Sequence, residues 1–149
     1  MTGIDMSQIS RSALVPFSAE QMFRLVNDVD SYSQFLPGCV GSRVLDAGPA
    51  QMTAAVDVSK AGISKTFVTR NTLTDNQSID MQLVDGPFRK LSGGWRFTAL
   101  SEEACKVELN LDFEFTNMLV ELAFGRVFKE LASSMVQAFT QRAKEVYSV

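Results

Sequence analysis

Between Cys105 and Phe115 apolar and polar residues alternate without a break. Cys105, Val107, Leu109, Leu111, Phe113 and Phe115 interleave with Lys106, Glu108, Asn110, Asp112 and Glu114. A period of two is that of a β-strand with one face in water and one buried. The same period, punctuated by turn residues, predicts strands near residues 40–46, 51–60, 63–74, 78–84 and 91–100. The separators AGPA, KAGI, TDNQ, DGPF and LSEEA are short and turn-forming, so consecutive strands pair antiparallel; a parallel pair needs a crossover of about a dozen residues. Upstream, QISRSALV reads as a further strand stopped by Pro16, which has no N–H for a ladder. The strands number about seven.

After Pro16 the pattern turns helical. Ser18 can cap, Gln21 holds the reciprocal capping-box position, Glu20 suits the positive helix end, and Phe17 with Met22 have staple spacing. Met22, Phe23, Leu25 and Val26 carry this helix to a polar break at Asn27 and Asp28, and a short helical or turn segment, DVDSYSQFLPG, ends at Pro37 and Gly38. From Met118 to Tyr147 there is no proline, Gly125 is the weak point, and Leu119, Leu122, Phe128, Leu131, Met135, Phe139, Ala143 and Val146 recur at helical spacing. Asn117 is placed to cap this helix. At about 1.5 Å per residue it would be on the order of 45 Å long, enough to cross the whole sheet.

These elements predict an α+β helix-grip fold, START-like or Bet v 1-like. An antiparallel, strongly curved sheet wraps a long C-terminal helix, with short helices inserted after the first strand. The apolar faces of sheet and helix must meet, so Leu109, Leu111, Phe113 and Phe115 should face the helix. A curved sheet cannot touch a straight helix along its full length. The strand wall is therefore expected to line part of a cavity as well, and tight packing with no void for a ring would count against an apolar ligand.

The 149 residues suit one domain, expected over 6–149, with residues 1–5 as a tail because patterned sequence begins after Met6. Composition, 46% hydrophobic and 21% charged, excludes a disordered chain. The net charge of -3 builds in no attraction to nucleic acid or anionic membrane, so DNA is not an expected partner and membrane contact is at most peripheral. No apolar run approaches the ~18 residues of a membrane span, and MTGIDMSQIS lacks the regions of a signal peptide, which makes the expected location cytoplasmic.

Chemistry is scarce. With no histidine, Ser-His and Cys-His arrangements and histidine metal sites are excluded. Cys39 and Cys105 form no CxxC pair and are expected to be reduced structural thiols. Asp28 and Asp30 lack the glycine and terminal glutamate of a calcium loop. The glycines of SGG, residues 92–94, lie inside a strand pattern, where a bulge or close backbone approach explains them better than a phosphate loop does. No catalytic residue, metal or required cofactor is expected, and the chain is not read as an enzyme.

The most unusual segment is VDGPFRKLSGGWRF. A tight turn presents Phe88, followed by Arg89 and Lys90, with Trp95 and Phe97 on one strand face. Two readings stand: a hairpin with core aromatics, or Phe88 and Trp95 as the mouth or wall of a pocket with Arg89 or Lys90 available to a polar head. In SYSQFLPGC, Phe35, Leu36 and Pro37 either anchor the short helix or close the other side of that mouth. Candidate lining further includes Met52, Val56 and Val58 of one strand parity, Met81 and Leu83 of another, Leu109, Leu111 and Phe113, and Phe128, Leu131 and Met135 of the long helix. Arg89, Lys90 and Arg96 beside Phe88 and Trp95 form the rival, an RNA contact.

The segments ISRSALVPFSAEQMF, SYSQFLPGC, MTAAVDVSKAGISKTFVTRN, LVDGPFRKLSGGWRF, LDFEFTN and FGRVFKELASSMVQAFTQRAKEVY cover nearly the whole chain. Together they resemble the coenzyme Q-binding START-domain family, also described as polyketide cyclase/dehydrase and lipid transport proteins. The family commonly has proline where Ser33 stands, a departure that touches only loop rigidity. The resemblance implies, as the leading expectation, a non-enzymatic protein that binds ubiquinone or a related polyprenyl lipid in a cavity between sheet and helix and supports respiration. As the alternative it implies a bacterial toxin that binds the large ribosomal subunit and blocks subunit joining and translation initiation, with an antitoxin protein as a further partner.

Overall fold

The computed structural model describes residues 7–147. The expected tail, together with Met6 and residues 148–149, lies outside the described residues. β1 (Ser7–Val15) is followed by α1 (Ala19–Asn27), a 3-10 segment (Val29–Gln34), and then β2 (Cys39–Ala47), β3 (Gln51–Lys60), β4 (Ile63–Thr74), β5 (Ser78–Asp85), β6 (Phe88–Ala99), β7 (Cys105–Phe115) and α2 (Met118–Tyr147). The strands form one seven-stranded sheet in the order β1-β7-β6-β5-β4-β3-β2, every neighbouring pair antiparallel. The helix-grip architecture expected from the hydrophobic pattern is the one observed.

Local chemistry explains the element ends. The Gln21 amide donates to Ser18 Oγ at 3.0 Å and the Ser18 amide donates to Gln21 Oε1 at 2.9 Å, the reciprocal cap of α1. The Val120 amide donates to Asn117 Oδ1 at 2.9 Å and starts α2. β6 begins at Phe88, three positions before the expected Leu91, because the turn is only Gly86 and Pro87: Phe88 already pairs with Phe115, and the Thr116 amide donates to the Pro87 carbonyl at 3.2 Å.

The sheet bends where its register slips, between Cys39 and Gly41, Val44 and Asp46, Val68 and Thr69, and Phe88 and Lys90. It is pinched at the centre of β6. Gly93 has φ +128°, and a Cβ there would stand 2.1 Å from the Asn110 carbonyl oxygen of β7. Only glycine permits that approach.

α2 lies in the concavity and buries Phe124, Val127, Phe128, Leu131, Ala132, Val136, Phe139 and Ala143. Leu119 and Leu122, expected on the same stripe, are instead 78% and 77% exposed. At ~100° per residue both fall on the side of the helix away from Phe124 and Phe128. Val146, in the last turn, is exposed too.

Two aromatic groups fill the space between sheet and helix. In the first, Phe88 meets Phe128 at 4.8 Å and stacks on Phe115 at 5.2 Å, with Phe67, Phe113 and Phe124 around them. In the second, Trp95 meets Phe139 at 5.3 Å and stacks with Phe97, while Tyr32 and Phe35 close on Phe139. What remains between them is the space a ligand could use.

Candidate functional site

That space is a cavity of about 50 Å³. An engineered apolar void of roughly 150 Å³ takes up benzene. The cavity as closed here therefore has no room for a ring, and Met81 and Met135 on its walls are the flexible side chains whose displacement would enlarge it.

Of the residues expected to line a pocket, Leu36, Val56, Met81, Trp95, Leu111, Phe128, Leu131 and Met135 do so. Met52, Val58, Phe97, Leu109 and Phe113 are buried in the core away from the cavity, and Leu83 packs against the core half-buried. Phe88, 5% exposed, sits in the first aromatic group and forms no mouth. Phe35 and Pro37 do not line the cavity; they line a separate groove against α2.

The sequence pattern did not reveal Val29, Tyr32, Ala54, Phe67, Thr69, Asn71, Leu91 and Ala132 as lining. Thr69 and Asn71 are the informative omissions. Both are buried, on the same face of β4 as Phe67, and the Thr69 hydroxyl donates to Asn71 Oδ1 at 2.9 Å. Thr and Asn in a strand ordinarily read as the wet face, so no sequence signal marked them.

The pair supports a test of how dry the cavity is. Thr69→Val alone strands the Asn71 amide and is expected to cost ~1–3 kcal/mol, whereas Thr69→Val with Asn71→Leu is expected to be near neutral or stabilising, since both polar groups go together. Urea unfolding of the two variants measures this. A single variant as stable as the parent would mean that water already reaches the pair.

Tyr32 is the one titratable side chain among the described lining residues. Burial pushes its phenol far above the ordinary range, the nearby Cys39 and Asp28 add to the effect, and its hydroxyl donates to the Val26 carbonyl. The described lining residues thus include no acid-base pair. Among the described residues no cluster of three His, Cys, Asp or Glu side chains could hold a metal, and no helix is long and apolar enough to cross a membrane.

Arg89, Lys90 and Arg96 do not face the cavity. Lys90 pairs across the sheet with Glu114 and Arg96 with Glu108, on the face opposite Leu91 and Trp95. Arg89 donates to the Thr116 carbonyl at 3.3 Å and lies 3.8 Å from Glu114. None is placed to meet a ligand head in the cavity, and as an RNA footprint the three are opposed by glutamates.

The family described as polyketide cyclase/dehydrase and lipid transport matches residues 15–140. The ribosome association toxin RatA of Escherichia coli (strain K12) is 77% identical over 145 residues, which cover 97% of this chain and 92% of the relative. A mitochondrial coenzyme Q-binding protein, COQ10 homolog B of Xenopus laevis, is 29% identical over 144 residues, covering 94% of this chain and 59% of that protein. Among solved structures, the Zhui aromatase/cyclase from Streptomyces sp. R1128 superposes with a TM-score of 0.83 at 18% identity, over 97% of this chain and 98% of that one, and shares the fold.

Proposed function

This chain belongs to the polyketide cyclase/dehydrase and lipid transport family, and from that premise we propose that it is a non-enzymatic binding protein whose target is the ribosome. In this reading it holds the large subunit in the cytoplasm and hinders joining of the small one. The observation that carries the reading is 77% identity, along nearly the whole chain, to a protein named for ribosome association. The closed cavity of about 50 Å³ favours it over a resident quinone, which was the leading expectation.

The experiment is sucrose-gradient sedimentation of separated ribosomal subunits with the purified protein, at a magnesium concentration that otherwise allows them to join. The expected result is protein travelling with the large subunit and a diminished joined peak. Full joining with the protein left at the top of the gradient overturns the reading.

A lipophilic ligand is the second reading, favoured by the apolar wall around the Thr69–Asn71 pair and by the likeness to a coenzyme Q-binding protein. Native mass spectrometry of protein purified from a quinone-producing host decides it. Ubiquinone at about one per chain supports the second reading; protein that stays empty after incubation with short-chain quinones removes it.

A further inference from the structure

We propose that the groove between the segment carrying Gln34, Phe35 and Pro37 and the outer face of α2 is a stacking site for an unpaired RNA base, through which the chain grips ribosomal RNA. This rests on the ribosome reading above. The charge distribution narrows the problem first. With a net charge of -3, and with the cluster at Arg89, Lys90 and Arg96 opposed by Glu108 and Glu114, long-range attraction to phosphates is not built in. The other route to RNA is single-strand recognition, in which bases stack on aromatic rings or arginine planes and are read along their edges.

The groove has those parts. Its volume is about 390 Å³, within the ~300–1,000 Å³ range of small-molecule sites. Arg142 lies over the Phe35 ring with Cζ 5.1 Å from the centroid, and Phe35 is braced from behind by Phe139 at 5.1 Å and Tyr32 at 6.4 Å. The platform is therefore held by the core. Arg142 Nη2 donates to Gln34 Oε1 at 2.8 Å, while its Nε is buried and has no hydrogen-bond partner among the described residues. Gln137 and Gln141, one helical turn apart on α2, are exposed along the same groove and offer amide donors and acceptors.

The chemistry favours a planar neutral group over a phosphate or carboxylate. Among the described residues Arg142 is the sole cation lining the groove, and Glu145 sits 3.6 Å from its Nη1, so an anion would meet a neutralised charge and a repelling carboxylate. A base stacked on Arg142 and bonded by the glutamine amides meets neither objection.

The test is co-sedimentation with purified large subunits, together with ultraviolet crosslinking. The Gln137→Ala, Gln141→Ala double variant changes only exposed side chains and should keep the parent melting temperature; Arg142→Lys keeps the charge and removes the planar fork. Affinity is expected to fall about five- to hundredfold for Arg142→Lys, the range of one lost stack, and several-fold for the double variant. Parent affinity should depend only shallowly on salt, with a log-log slope of about -1 or less steep, and crosslinks should join RNA to the Phe35 segment or to α2.

Equal binding by parent and both variants overturns the site and leaves the ribosome reading standing. Crosslinks exclusively to ribosomal protein overturn the RNA assignment. A parent that never sediments with subunits removes the functional reading, and the site with it.

Discussion

Gly93→Ala is expected to abolish the fold or leave it barely stable. The added methyl would stand 2.1 Å from the Asn110 carbonyl oxygen and 3.0 Å from Asn110 C and Leu111 Cα, all backbone atoms of β7, which is itself held between β1 and β6. No side chain can swing aside, so β6 and β7 would have to separate where the sheet is pinched. Overpacking of this kind costs ~1–3 kcal/mol, and a non-glycine residue held at φ +128° costs about as much again. Against a total stability of ~5–15 kcal/mol, several kcal/mol is decisive.

Soluble yield and a circular-dichroism melt measure the effect. Gly62→Ala is the control: its φ is also positive, +82°, but nothing lies within 4 Å of the added atom, so only the backbone cost of about 1 kcal/mol applies. If the two variants melt alike, contact at Asn110 is not what demands glycine.

Phe88→Ala is expected to lower stability by ~3–5 kcal/mol, the usual cost of deleting a buried phenylalanine. At roughly 2–4 °C per kcal/mol this is a fall in Tm of about 6–20 °C. Phe88 joins β6 to β4 through Phe67, to β7 through Phe113 and Phe115, and to α2 through Phe124 and Phe128, so its loss opens a hole shared by four elements. Neither the cavity nor the outer groove is lined by Phe88, and ribosome association measured well below the lowered Tm should be unchanged. A small drop in Tm with a large loss of binding would return Phe88 to a ligand mouth.

The fold was legible because its signals are local and periodic. Alternation along 105–115 located β7, and the Ser18–Gln21 box located α1. The exposure of Leu119 and Leu122 follows from helical phase, which apolar identity alone does not carry. Strand parity also held the answer for two of the three cations: with Leu91, Trp95 and Phe97 inward, Lys90 and Arg96 must point outward. The Thr69–Asn71 pair and the cavity's size were not legible. Polarity alone cannot distinguish a wet face from a buried polar spot, and a residual void depends on how side chains from strands and helices far apart in sequence add up. The outer groove was half visible, in the apolar Phe35 and Pro37, but its other wall lies some hundred residues away on α2.

β1 finds its partner in β7, with Ser7 opposite Phe113 and Val15 opposite Cys105, after every other strand has been made. During synthesis the first strand must therefore wait, unpaired, while the hairpins from β2 onward form by short-range closure. The groove waits longer still, because Arg142 comes only five residues before the end of α2. A nascent copy in which α2 is still incomplete cannot form the Phe35–Arg142 platform, because its two walls come from opposite ends of the described chain.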